Sequence, residues 1–214
     1  MMDFHYWKIM KNSYLFFFLI SIANSSLSQN AIEISALGGY QLSGNYAVQS
    51  GNIRIHSNPS FAFLLSFPVP ETPGLMAEFS YSFTQSALSY QEQSNLPAQD
   101  LFDMSIHYFQ AGATYQEIFD RFIPFAIMQV GGVLFHPQNA HYENAWLLAA
   151  SLGMGCKIRI HERGGIRFQG RFLAPIQVEE GALWCQSGSG CTIYLKSGTV
   201  LLQGDILMGI FFQF

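Results

Sequence analysis

Residues 200–214, VLLQGDILMGIFFQF, decide the fold. Val200, Leu202, Gly204, Ile206, Met208, Ile210, Phe212 and Phe214 fall on one face of a period-2 row. Gln203, Asp205, Gly209 and Gln213 fall on the other, with Leu201, Leu207 and Phe211. Strict alternation is the signature of a strand. The row outruns an ordinary strand of about 5–6 residues and suits a bilayer-crossing strand of roughly 9–11. In a soluble sandwich the second face would be charged. Here it is sparsely charged, so the oily face points to lipid and the other face lines a narrow interior.

The same rhythm recurs upstream. Trp146, Leu148, Ala150, Leu152, Met154, Cys156, Ile158 and Ile160 form a second row, with Ala149, Ser151, Gly153, Gly155, Lys157 and Arg159 between them. Leu75, Ala77, Phe79, Tyr81 and Phe83 form a third, and Phe168, Gly170, Phe172 and Ala174 a fourth. Turn residues divide the chain into eight strands near 31–43, 52–67, 75–86, 103–116, 122–136, 144–160, 165–178 and 199–214. The connections 68–74, 117–121 and 161–164 are short. Those at 46–51, 87–100, 137–143 and 179–198 are on average longer and more polar. Short turns at one end and long loops at the other belong to an outer-membrane barrel, whose even strand number leaves no open edge in lipid. The expected fold is all-β, an eight-stranded antiparallel up-and-down transmembrane β-barrel.

Composition agrees. Of 214 residues, 50% are hydrophobic and only 11% charged, against roughly 25% charged in soluble domains. That excludes a disordered chain. Ten Lys and Arg against 14 Asp and Glu, without a basic cluster, exclude a nucleic-acid surface. Residues 1–28 read as a signal peptide: Lys8 and Lys11 flank the apolar run 14–23, and Ser26-Leu27-Ser28 fits a cleavage site. Met10 is an alternative initiator. Residues 29–214 are then the barrel domain, and no later run is long enough for a transmembrane helix.

The pattern resembles the outer-membrane β-barrel family of Gram-negative bacteria, of the small eight-stranded OmpA-like or opacity-protein type. The residues that carry the resemblance are Gly38-Gly39-Tyr40, Glu78-Phe79-Ser80-Tyr81, the strand from Pro124 to Gly132, and Ile210-Phe211-Phe212-Gln213-Phe214. The resemblance covers residues 29–214. It implies residence in the cell outer membrane and contact with its lipids. It also implies recognition by the barrel-assembly machinery through the C-terminal strand, with Phe212 and Phe214 as the signal. The chain stops at Phe214, so the peptidoglycan-binding domain of longer members is not expected.

Strand parity puts Glu33, Glu78, Asp205, Lys157, Arg159, Arg167 and Arg171 inside. Buried charges need partners, so these seven are expected to form a polar network that closes the lumen. Glu78 pairs with Arg167 or Arg171, and so does Asp205. Cys185 and Cys191 flank a Gly/Ser-rich stretch of an exported chain and are expected to form a disulfide; no paired His suggests a metal instead. Cys156 falls on the lipid face. His136, His141 and Glu143 gather near one loop, where a metal site or a hydrolase dyad competes with a solvated strand end; the spacing favours the latter. Tyr108, Tyr115, Phe122, Phe125, Phe135, Tyr142 and Trp146 are expected to include interfacial girdle residues.

The functional expectation is a monomeric, non-enzymatic integral barrel without metal or cofactor. Its role would be structural, or surface interaction through 87–100 and 179–198. The alternatives are a narrow channel or lipophilic-solute transporter, a lipid-modifying barrel enzyme, and a soluble lipocalin-like barrel.

Overall fold

The computed structural model describes residues 32–42, 45–48, 51–91, 99–138, 144–176, 181–186, 190–195 and 201–214. The signal segment 1–28, together with His141, Tyr142 and Glu143, lies outside them. Among the described residues twelve strands follow in chain order: β1 (Glu33–Leu42), β2 (Asn45–Val48), β3 (Gly51–Ile55), β4 (Asn58–Pro68), β5 (Leu75–Gln91), β6 (Gln99–Gln116), β7 (Phe122–Pro137), β8 (Ala145–His161), β9 (Gly164–Ile176), β10 (Gly181–Gln186), β11 (Gly190–Leu195) and β12 (Gln203–Gln213). Eight of them close a ring, β1–β4–β5–β6–β7–β8–β9–β12 and back to β1, antiparallel throughout. The expected barrel is the observed one.

The wall is uneven. β5, β6, β7 and β8 run to 17, 18, 16 and 17 residues, well past the roughly 9–11 that cross a bilayer. β1, β4 and β12 have 10, 11 and 11. The single strand expected over 52–67 is split: β3 and β4 both pair with β5, with a break at His56–Ser57. Pro59 lacks an N–H for the ladder. From β5 the hydroxyls of Thr84 and Ser86 donate to the carbonyls of Pro59 at 2.7 Å and His56 at 2.6 Å, on either side of the break. Two stretches expected as loops also contain strands. β2 pairs with β3 beside the tall β5, and β10 pairs with β11 as a separate two-stranded sheet.

Three tight turns mark one end, here the turn end. In the first, Gly74 has φ of 82°, and a Cβ there would sit 2.4 Å from the Gln116 carbonyl oxygen. Only glycine accepts both conditions. In the second, Asp120 takes φ of 54°, a region that Asp tolerates. Glu162 and Arg163 make the third, between β8 and β9.

The outer surface is apolar, as the sequence rows require. Met128, Val130, Leu148, Leu152, Met154, Ile206 and Ile210 are all exposed by 60% or more. A folded monomer in water does not show so continuous an oily face. A closed barrel with that face spans a bilayer, because the eight-strand ladder closes on itself and leaves no open edge in the ring.

Candidate functional site

The inside of the ring holds large apolar residues as well as small and polar ones. Alternation sends Leu37, Leu64, Phe125, Ile127, Phe135, Leu207 and Phe211 inward along with the charges, and all are buried. Tyr108, Phe125 and Phe135, expected among the girdle, are therefore lumenal. Tyr115, Phe122 and Trp146 do face out and are about half exposed or more.

The charges lie in two layers. Nearer the turn end, Glu33 on β1, Glu78 on β5, Lys157 on β8 and Arg167 on β9 converge, each no more than 1% exposed. Lys157 Nζ is 2.6 Å from Glu33 Oε1 and donates to Gln116 Oε1 at 2.9 Å. Arg167 grips Glu78 with two nitrogens, at 3.0 and 3.3 Å, and reaches Glu33 Oε1 at 3.4 Å. Ser66 and Gln129 complete the Glu78 carboxylate at 2.9 and 3.0 Å. Two cations thus match two carboxylates, with neutral donors filling the remaining lone pairs. This is the condition under which buried charges are tolerated.

The lumenal phenylalanines belong to this arrangement. Arg167 Cζ lies 4.6 Å from the Phe125 ring centroid, and Lys157 Nζ lies 5.5 Å from Phe125 and 5.6 Å from Phe211. Aromatic faces attract cations within about 6 Å. Large apolar residues therefore fill the lumen without stranding the charges.

Farther toward the loop end, Arg171 and its register partner Asp205 form a fork, with Nη2 to Oδ2 at 2.5 Å and Nε 3.1 Å from both oxygens. Tyr108 donates to Gln203 Oε1 at 2.7 Å, and Gln41 donates to the same oxygen. Beyond this layer, Met104, Ile106, Val133, Phe135 and Leu147 make a buried apolar layer. Of the seven expected network residues, six join. Arg159 does not. It sits beside the turn between β8 and β9, half-buried, and its Nε has no hydrogen-bond partner.

Cys156 is a free thiol on the outer wall, as parity required. Cys185 and Cys191 are direct register partners in β10–β11. His136 faces outward, exposed, with Nδ1 2.6 Å from Asn144 Oδ1. Among the described residues no group of three His, Cys, Asp or Glu converges.

No protein-family model matches the sequence, and no curated protein matches it. Solved structures do. OprG from Pseudomonas aeruginosa is similar at a TM-score of 0.58 and 10% identity, over 86% of this chain and 97% of that one. Neisserial surface protein A is similar at 0.54 and 11%, over 87% and 98%. AlkL, solved in lipid bilayers, is similar at 0.50 and 14%, over 89% and 93%. The chain has the fold of the small eight-stranded outer-membrane barrels. At these identities the likeness is one of architecture, and the architecture agrees with the chain's own physics. A lipid-spanning β-barrel with short turns at one end and longer connections at the other is an outer-membrane protein.

Sequence reasoning found the charges but not their aromatic partners. Parity alone sends Phe125 inward, yet its ring chemistry suggested an interface.

Proposed function

We propose that this outer-membrane barrel has a structural and surface-interaction role. The wall anchors in lipid, and the tall β5–β8 side with the β2–β3 and β10–β11 hairpins stands at the loop end, available to partners outside the cell. The lumen is a plug. The observation that carries this reading is the matched layer of Glu33, Glu78, Lys157 and Arg167, buried and mutually bonded across four strands of the ring. Phe125 and Phe211 close the space around it. In this reading the protein is a monomer, and the terminal strand, whose Phe212 and Phe214 rings stand 5.0 Å apart on the outside, is what the assembly machinery reads.

Planar-bilayer recording of the purified, folded protein tests it. The expected result is no conductance above the lipid background, and reproducible unitary steps would overturn the plug. A narrow water path is the second reading. The observation that favours it is a set of buried polar atoms on Gln110, Thr114 and Ser151 that no protein group satisfies, since such atoms are ordinarily met by water.

A further inference from the structure

We propose that the outer wall of β5 and β6 carries a lipid-ester hydrolase site, with Ser105 as nucleophile and His107 as its base. The sequence leads to the expectation of a non-enzymatic barrel, and the lumenal charges take no part in this site. This site is on the other side of the wall. Ser105 and His107 are two residues apart on β6, so both lie on the outer side of the wall. His107 is half-buried and Ser105 nearly covered at 7% exposed, its hydroxyl also 3.5 Å from the His136 backbone carbonyl. His107 Nε2 is 3.2 Å from Ser105 Oγ, and its Nδ1 is 2.9 Å from the Tyr81 hydroxyl on β5. The result is a continuous chain, Tyr81–His107–Ser105. A nucleophile within reach of a base, which is in turn oriented by a third group, is the arrangement that activates a serine. In the tautomer that donates Nδ1–H to Tyr81, Nε2 accepts the Ser105 proton.

Geometry also indicates the substrate. Phe83 and Tyr81 hold the imidazole, with ring centroids 5.0 and 6.1 Å away. Below them a groove of about 640 Å³ opens on the lipid-facing surface, between Ile34, Phe63, Phe79, Tyr81, Phe109 and Val130. Tyr81 belongs to both groove and chain. Along β6 the order is Ala111 and Phe109 in the groove, then His107, then Ser105 toward the loop end. Above them the wall turns polar, with Gln85 and His136 opposite Ser105 in register and both exposed. An apolar groove that shares Tyr81 with the chain, with Ser105 two outward positions beyond Phe109 where oily wall gives way to polar wall, fits one ligand chemistry. That is an ester-linked acyl chain of a lipid in the leaflet at the loop end.

The reaction balances with water as the only co-reactant. Ser105 Oγ bonds to the ester carbonyl carbon while its proton passes to His107 Nε2. The C–O bond to the lipid alcohol breaks, and the alcohol leaves with that proton. Water then attacks the acyl-serine, His107 taking and returning a proton, and the fatty acid is released. Ser105 and His107 are catalytic in this scheme. Tyr81 is a positioning residue.

The test uses the full chain folded in detergent, with folding verified by heat-modifiable gel mobility. A fluorophosphonate probe should label the Ser105 peptide, and Ser105→Ala should abolish the label. Fatty-acid release from phosphatidylethanolamine vesicles and from lipopolysaccharide distinguishes the two sources of acyl ester. Ser105→Ala and His107→Asn should each lower release on the order of 10²-fold or more. Tyr81→Phe should lower kcat with KM unchanged, whereas Val130→Trp, in the groove, should raise KM. All four should keep the folded mobility. A correctly folded barrel that neither takes the probe nor releases fatty acid from either lipid overturns the proposal, as does labelling that survives Ser105→Ala. Neither result bears on conductance, so the plug reading stands or falls separately.

Discussion

Arg167 and Glu78, 89 residues apart in the chain, face each other across the lumen with Nη1 3.0 Å from Oε2 and Nη2 3.3 Å from Oε1. The pair is part of a neutral four-charge cluster, which makes its removal asymmetric. Arg167→Met leaves Glu33 and Glu78 to share Lys157. Leaving a buried charge without its partner costs about 3–5 kcal/mol, whereas replacing a whole buried pair by apolar groups is often neutral. The expected outcome is a large fall in the urea midpoint for Arg167→Met alone, and recovery of most of it in Arg167→Met with Glu78→Leu. Tryptophan fluorescence of the folded barrel in micelles measures both.

Leu152, 61% exposed and opposite the equally lipid-facing Met128, marks the middle of the oily belt on β8. Ile160, four outward positions farther along the same strand, marks its edge beside the turn to β9. Arginine on the lipid face costs about 2–4 kcal/mol at the midplane and about 0–1 near the interface. Leu152→Arg is therefore expected to destabilise the barrel in lipid by several times more than Ile160→Arg. Unfolding titrations in phospholipid vesicles give both numbers. Equal effects would mean that this face does not meet lipid.

Period-2 rows place seven strand cores within a few residues, because a two-sided wall writes its environment onto every second position. They fail where something other than the wall sets the backbone. The second strand breaks at His56–Ser57, beside Pro59, where the four residues between Ile55 and Ser60 face the three between Leu88 and Thr84 on β5. β10–β11 pairs outside the ring, where no lipid imposes a pattern. In the site, parity found Glu33, Glu78, Lys157, Arg167, Arg171 and Asp205, since charge at an inward position is conspicuous. It could not choose between Arg167 and Arg171 as the partner of Glu78, because that depends on stagger around the ring. Tyr81–His107–Ser105 stayed hidden for a similar reason. Serine and histidine on an aromatic-rich strand read as ordinary interface residues until β5 brings Tyr81 alongside.

Gly39 and Gly204 separate close approach from mere smallness. Gly39 points inward on β1, where a Cβ would lie 2.0 Å from the Ile206 carbonyl oxygen of β12. Gly204 points outward, and its Cβ would meet only the Arg171 oxygen, at an ordinary 3.6 Å. Gly39→Ala must push two hydrogen-bonded strands apart where the ring closes, and overpacking of that kind costs about 1–3 kcal/mol. Gly204→Ala is expected to fold as the parent does. Heat-modifiable gel mobility after refolding compares them, with a reduced folded fraction expected for Gly39→Ala alone.

Cys185 and Cys191 stand opposite each other in the β10–β11 ladder, and that pairing makes the expected disulfide geometrically available. Directly opposed residues in antiparallel strands have Cα atoms about 4.5–5.5 Å apart, inside the roughly 4.4–6.8 Å that a disulfide needs. Maleimide labelling of the denatured protein should therefore find one thiol, that of Cys156, without reductant and three after reduction. The bridge closes a ring inside a hairpin that is not hydrogen-bonded to the barrel sheet. Its stabilisation, about 2 kcal/mol for so short a loop, is then confined to the hairpin. Cys185→Ser should leave the barrel's unfolding midpoint in place while speeding protease cleavage between residues 181 and 195. A shift of the barrel midpoint instead would mean that the hairpin is packed into the wall.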